Sequence, residues 1–424
     1  MNPQSLQPRR MRSENINDLL ARLQNSKGKG DKSPLLTRAI SLLESVVHEG
    51  TPSGDVLSSL LTDVLKPLFA STPNPNLTPA GRKNLVSAPP TTGRFDTPFL
   101  ERERKPWKEA SWSVDVLRFI VTQYNSLPAS SRKEVIETQF YLLVPPILTL
   151  IDDGDVSSKT SGCELLSALC NTILASKSTM LSRSGLADVF ADSLKANFML
   201  LPTLTPENES LTLLRQLYPA FRALVSATYA AEQLSTSIKD GHTGPTLFKS
   251  SAAGDNRSYP YRDARQKMLD AILRHGILAS YNHASDYVAI AEFLVHEAVL
   301  VISDMRINAV KYLSRLLPLL RSILTNPLGA AYPPLLEVAC DLLTMLVTNC
   351  KPRIASTWWV ECLRMCVGCW FIIRIDLRGS TAVQTKLGNV VQKLRDVVGD
   401  ERFREAADTL MRADEELKDM LYPA

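Results

Sequence analysis

The stretch that most constrains the fold is Pro145-Pro146-Ile147-Leu148-Thr149-Leu150-Ile151, which runs straight into Asp152-Asp153-Gly154-Asp155. A second apolar stretch begins at once with Val156-Ser157-Ser158-Lys159-Thr160-Ser161-Gly162-Cys163 and continues through Leu166, Cys170 and Ile173. Val156, Cys163, Leu166, Cys170 and Ile173 recur at steps of three and four, so they share one helical stripe. Asp155 stands where a helix N-cap belongs, because its carboxylate can accept backbone N–H groups of the first turn. The segment therefore reads as one helical hairpin with an acidic corner. Lys159 lies on the apolar stripe, where an ammonium group is costly unless it is paired. The nearest counter-charges are Asp152 and Asp153, so a turn clamp of Asp152, Asp153 and Lys159 is expected.

Hairpins of this kind stack into arrays in which each unit buries its apolar face against its neighbours. The expected fold is all-α, a HEAT/armadillo-type α-solenoid of stacked helical hairpins. The pattern recurs further on. Ile302-Ser303-Asp304 reads as an acidic turn, followed by a stripe of Ile307, Val310, Leu313, Leu317, Leu320 and Leu324. Alternating β-branched runs, the mark of strands, are missing.

The organisation along the chain follows from where this periodicity breaks. Residues 1–32 read as a flexible basic N-terminus, with a short helix over Asn17–Leu23. Residues 33–70 read as a helical hairpin, with Ser33-Pro34 opening its first helix and Gly50 ending it. Residues 71–108 hold a cluster of prolines and few apolar groups, a Pro-rich linker or loop. The first half of the solenoid spans 109–240, with helices near 112–126, 131–151, 155–176, 180–198 and 208–234. An insertion loop spans 241–259. The second half spans 260–422, with helices near 262–279, 284–302, 304–325, 331–349, 353–374, 380–397 and 401–420.

Charge and cysteine usage narrow the function. The net charge of +4 is uneven: residues 1–38 carry a net of +5 and residues 82–108 a net of +4, so the rest is acidic. A nucleic-acid reader shows its basic footprint on a structured face. Here the excess falls in linker-like segments, and no nucleic acid is expected as a partner. The seven cysteines are odd in number and mostly lie within apolar helical patterns, as reduced core residues of an intracellular protein do. No secretory leader is expected. The most apolar span, Trp358–Ile375, is interrupted by Glu361, Arg364 and Arg374, so no membrane association is expected.

Enzyme-like patterns fail on physical grounds. Cys362, Cys366 and Cys369 have the spacing of an iron–sulfur cluster loop. The same spacing puts all three on one apolar helix face, the reading favoured here. Glu292 and His296 lack the second histidine of a zinc-protease helix. The acids at 152–155 lack the alternating ligands and closing glutamate of a calcium loop. No cofactor and no catalysis are expected.

Three blocks resemble a known family. They are Val144-Pro145-Pro146-Ile147-Leu148-Thr149-Leu150-Ile151-Asp152-Asp153 with Lys159 and Gly162, then Lys105-Pro106-Trp107, then Cys350-Lys351-Pro352-Arg353-Ile354 before Cys369-Trp370. Together they resemble the Tel-two-interacting protein two family, the smallest subunit of the TTT cochaperone complex, over about 105–400. The resemblance implies a non-catalytic scaffold whose partners are the two larger TTT subunits. Indirectly, it implies phosphatidylinositol-3-kinase-related kinases (TOR, ATM and ATR type) and the heat-shock chaperone with its adaptor. It also implies a cytoplasmic and nuclear location. The alternative is a HEAT-repeat adaptor in another process, such as transport or trafficking. An obligate subunit must bury an apolar patch in its partner. Tryptophan is a frequent anchor of such patches, so Trp358, Trp359, Trp370 and the neighbouring Arg353 are the candidate partner-binding residues.

Overall fold

The structure is a computed structural model, and it describes residues 16–28, 33–49, 53–71, 74–84, 105–230, 259–375 and 381–422. Among the described residues the regular structure is helical, with one isolated bridge between Leu77 and Lys83. They fall into two compact units. The first comprises residues 1–200 and 208–268, the second 201–207 and 269–424.

Unit 1 begins with α1 (Ile16–Gly28), α2 (Pro34–Glu49), α3 (Gly54–Ser59) and α4 (Lys66–Phe69). The Ser53 side chain caps α3 by accepting from Val56 N–H. A π-helical turn, Leu60–Leu65, joins α3 to α4 and buries Leu60, Leu61, Val64 and Leu65. Then come α5 (Pro106–Glu109), α6 (Trp112–Gln123), α7 (Ala129–Ile151), α8 (Val156–Ala175), α9 (Met180–Ser184), α10 (Leu186–Ala196) and α11 (Glu207–Thr228). The hairpin α7–α8 is the centre of this unit: α8 packs along α7, α6 packs on α8, and α4 and α10 pack on α7. Helix α1 rests on α6, and Arg22 reaches Asp115 at 3.2 Å.

Helix α7 is long and apolar enough to cross a membrane, a property the sequence reading did not assign to it. More than half of its most apolar stretch is buried inside the unit, and it acts as the core helix. Pro145 and Pro146 lie inside it, so the carbonyls of Tyr141 and Leu142 lose their usual i+4 donors. Residues 74–84 pack over this opened backbone. Gly81 has φ +73° and approaches the Tyr141 carbonyl so closely that a Cβ there would collide with it. The Arg82 guanidinium covers the Tyr141 ring at 5.3 Å, and Lys83 pairs with Asp188 at 3.3 Å. The expected linker at 71–108 is thus tied down over residues 74–84; residues 85–104 lie outside the described set, as do residues 241–258 of the expected insertion loop at 241–259 and residues 1–15.

Apart from residues 201–207, the second unit runs from the end of α12 (Tyr259–Ala271) through a π-helical segment, Ile272–Leu278, to α13 (Ala279–Ala284), α14 (Val288–Met305) and α15 (Leu313–Leu324). After these come α16 (Pro333–Asn349), α17 (Lys351–Arg353), α18 (Trp359–Ile375), α19 (Thr381–Val398), α20 (Asp400–Ala413) and α21 (Lys418–Leu421). Helices α14, α16 and α19 lie side by side in a row. Helices α15 and α18 pack on each other and on that row.

One expectation fails in this unit. Ile302-Ser303-Asp304 is not a turn: α14 runs on to Met305, and the chain turns at Arg306, whose φ is 50° and ψ −130°. Residues 306–312 are 3₁₀-helical. A 3₁₀ turn takes three residues instead of 3.6, so the α-helical stripe loses register across it. Leu313, Leu317, Leu320 and Leu324 are buried as expected, but Ile307 is 56% exposed.

Candidate interaction sites

In unit 1 the acidic corner between α7 and α8 is a layered polar cluster. Asp155 caps α8: its Oδ2 accepts from the Ser158 N–H at 3.0 Å and from the Ser157 hydroxyl at 2.8 Å. These bonds, led by the one from Ser158 N–H, hold its pKa below the ordinary carboxylate value. The Asp153 side chain is fully buried. It accepts from Lys105 Nζ at 2.8 Å and pairs with Lys108 Nζ at 2.6 Å, while the Asp155 N–H donates to it at 2.9 Å. Burial pushes the Asp153 carboxyl up, but the two lysines and the amide outweigh that, and it stands below the usual carboxylate range.

The expected clamp therefore takes a different set of partners. Lys159 pairs with neither aspartate. Its Nζ donates to the Ile151 carbonyl at 3.1 Å and to Asn197 Oδ1 at 2.7 Å. The reason is geometric: the last turn of α7 leaves its carbonyls without helical donors, and one of these, on Ile151, faces the first turn of α8. Asn197 Nδ2 donates to the same carbonyl at 3.3 Å, so a lysine and an asparagine close the end of the helix. Desolvation lowers the Lys159 pKa, with Asp152 opposing it. Asp152 itself accepts from Asn74 Nδ2 at 2.8 Å and the Ser193 hydroxyl at 3.3 Å. Three residues downstream of Lys159, a Cβ at Gly162 would come within 2.8 Å of the Ile151 backbone nitrogen. That glycine is what allows α8 to lie so close to α7.

The cluster also joins two sequence blocks that lie 48 residues apart. Lys105-Pro106-Trp107 opens α5, with Pro106 in the first turn. Trp107 is buried and stacks on Phe69, with centroids 5.5 Å apart and planes at 11°. The Lys108 ammonium sits 5.4 Å from the Trp107 ring centre while it pairs with Asp153. This seats the tryptophan beside the acidic corner. The arrangement holds the start of α5 against the α7–α8 turn. Its charged groups are ion-paired or hydrogen-bonded within the cluster.

In unit 2 the candidate partner-binding residues separate. Trp370 is buried, a core residue and not a surface anchor, and its place on the inner face of α18 follows from the same periodicity that buries Cys362, Cys366 and Cys369. Burial pushes the Cys362 and Cys369 thiols up to about 12, and the Cys366 thiol well above its ordinary value. Among the described residues no His, Cys, Asp and Glu set gathers in a metal-ligating arrangement. Trp358 and Trp359 are half-buried. Trp358 ends and Trp359 follows a π-helical turn, Ile354–Trp358, which spends an extra residue and resets the phase of the helix that follows.

Trp359 forms one end of a groove of about 570 Å³ between α18 and α20. Val360, Leu363, Val367, Ala406 and Leu410 supply its apolar wall, and Val360 is 48% exposed. The Arg402 guanidinium lies 5.7 Å from the Trp359 ring centre. Arg353 is exposed and lies elsewhere, on a separate shallow surface with Pro352 and Ile307.

The Tti2 family model matches residues 20–331. The chain belongs to the Tti2 family. The match covers about three-quarters of its length, including the whole acidic-corner cluster, and stops before the α18–α20 groove. Tti2 family membership gives the chain a general role as a subunit of the TTT cochaperone complex, a family not known as catalytic. No solved structure matches the chain.

Proposed function

We propose that this Tti2 family chain is a non-catalytic scaffold subunit that holds the two larger TTT subunits, and through them supports the maturation and stability of phosphatidylinositol-3-kinase-related kinases of the TOR, ATM and ATR type alongside the heat-shock chaperone machinery. Its architecture is a HEAT/armadillo-type solenoid. The row of α14, α16 and α19, with α15 and α18 packed against it, supports that reading, since stacked hairpins produce such rows. Its place of work is the cytoplasm and the nucleus.

The observation that carries the proposal is the family match, joined to a surface suited to a partner. The groove between α18 and α20 offers a half-buried tryptophan, aliphatic walls and an arginine on the tryptophan ring. Interface anchors concentrate in such sites, where an aromatic residue or arginine is desolvated at the centre of the contact. Trp358 and Trp359 are the residues proposed to engage the partner. Co-expression with the two larger subunits, followed by size-exclusion chromatography, tests this. The Trp358→Ala/Trp359→Ala variant is expected to elute without its partners while keeping its helical circular dichroism. A variant complex that stays intact rejects the groove as the contact. A wild-type chain that never joins the larger subunits rejects the scaffold reading itself.

A further inference from the structure

Helix α14 ends at Met305, and the chain turns on Arg306 with φ 50° and ψ −130°, a backbone state an L-residue adopts only under constraint. The result is to rotate Ile307 out of the apolar stripe its sequence position belongs to and leave it 56% exposed. Ile307 does not stand alone. With Val310 and Pro352 it lines a shallow surface trough of about 430 Å³, completed by Asn308, Arg353 and Ser356. Two contacts fix the two banks together. The 3₁₀ segment 306–312 packs on α16, and Asn349 Nδ2 at the end of α16 donates to the Ile302 carbonyl at 2.9 Å.

Three cations border this trough. Arg306 precedes Ile307, and Lys351 and Arg353 flank Pro352; all three are exposed. Some other cations of the same unit are committed to carboxylates: Lys311 to Asp270 at 2.6 Å, Arg321 and Arg364 to Glu361 at 3.3 and 2.8 Å. Arg306, Lys351 and Arg353 have no such counter-ion among the described residues. An apolar strip bordered by three free cations is complementary to a chain segment that alternates carboxylates with aliphatic side chains. A nucleic acid fits less well, since the trough has no aromatic ring on which a base could stack.

We infer that the trough formed by Ile307, Val310 and Pro352, with Arg306, Lys351 and Arg353 at its edge, is a docking site for an acidic, leucine-bearing peptide segment of a partner protein. The inference deepens the scaffold reading and rests on it only in taking the partner to be a protein. The free cations supply encounter and orientation, and Ile307 supplies the buried contact once the segment is seated.

The test uses the full chain and fluorescence anisotropy. The probe is a labelled peptide of glutamates with leucines spaced one helical turn apart. Three competitors accompany it: the same peptide with lysine for glutamate, the same peptide with serine for leucine, and oligouridylate. The acidic leucine peptide is expected to bind at least about tenfold more tightly than any competitor, with affinity falling as salt rises. The Arg306→Glu/Lys351→Glu/Arg353→Glu variant and, separately, Ile307→Asp should each weaken it about tenfold or more. The milder Arg353→Gln and Ile307→Ser changes should weaken it in the same order, which guards against a folding defect. Equal binding of the lysine peptide, indifference to these substitutions, or oligouridylate binding as tightly as the peptide would overturn the inference. None of these outcomes depends on whether the larger TTT subunits co-purify, so failure here and failure of the scaffold reading are separable.

Discussion

Asp153 gives the sharpest test of how unit 1 is held together. Its carboxylate is fully buried, yet the two lysines it grips keep 33% and 39% of their side-chain exposure. Breaking a fully buried ion pair costs about 3–5 kcal/mol, and an exposed one about 0.2–1 kcal/mol. Asp153→Asn keeps the shape and an oxygen for the Asp155 N–H, and it frees lysines that can rehydrate. The cost should therefore fall between these limits, at about 2–3 kcal/mol, or a fall of roughly 4–10 °C in Tm for a unit of this size. Urea unfolding followed by far-UV circular dichroism measures it. The pH dependence follows from the sign of the shift. Asp153 is held below the usual carboxylate range, so its contribution is full above the unfolded value of about 3.9 and is lost as pH falls through the lower folded value. The gap between wild type and Asp153→Asn should be constant from about pH 5 to 8 and close in stronger acid. Lys105→Met/Lys108→Met should do the opposite. It leaves a desolvated carboxylate whose pKa rises, so mild acidification should stabilise that variant. If Asp153→Asn matches wild type at neutral pH, or its deficit persists unchanged into strong acid, the ion-pair reasoning is wrong.

Three further outcomes follow from local geometry. Gly162→Ala places a methyl group against the Ile151 backbone and should destabilise the chain by about 1–3 kcal/mol in the same urea assay. Lys177 holds φ 55° just past the end of α8, where the Ser178 N–H donates back to the Ile173 carbonyl; Lys177→Gly should stabilise by about 1 kcal/mol, read as a raised Tm. The cysteines are all buried, with thiols shifted upward, so a thiol reagent at pH 8 should label the native chain slowly and the urea-unfolded chain fast. Rapid labelling of the native protein would contradict the packing of α8, α16 and α18.

The helices were legible because their signals are local. Asp155 caps α8 through a residue three positions away, and Cys163, Leu166, Cys170 and Ile173 fall on the buried face that their spacing gives them. Partners were not legible where they come from far along the chain. Lys105 lies 48 residues from Asp153, and Asn197 lies 38 from Lys159, so proximity in sequence pointed to the wrong pairing. Ile307 was misplaced for another reason: an α-helical period was carried through a 3₁₀ segment, which has a different one. The three π-helical segments among the described residues left no comparable mark in the sequence, since one inserted residue looks like ordinary noise in a helical pattern. At the candidate groove, the tryptophans could be singled out by type. Only the fold separates buried Trp370 from half-exposed Trp358 and Trp359.

As proposed, this chain works by holding other proteins. Mass spectrometry of what co-purifies with the tagged full-length chain from its own cells tests that most directly. The expected result is the two larger TTT subunits in near-equal amounts, with TOR-, ATM- or ATR-type kinases at lower abundance. A chain recovered alone, or with transport or trafficking proteins in place of those subunits, would contradict it.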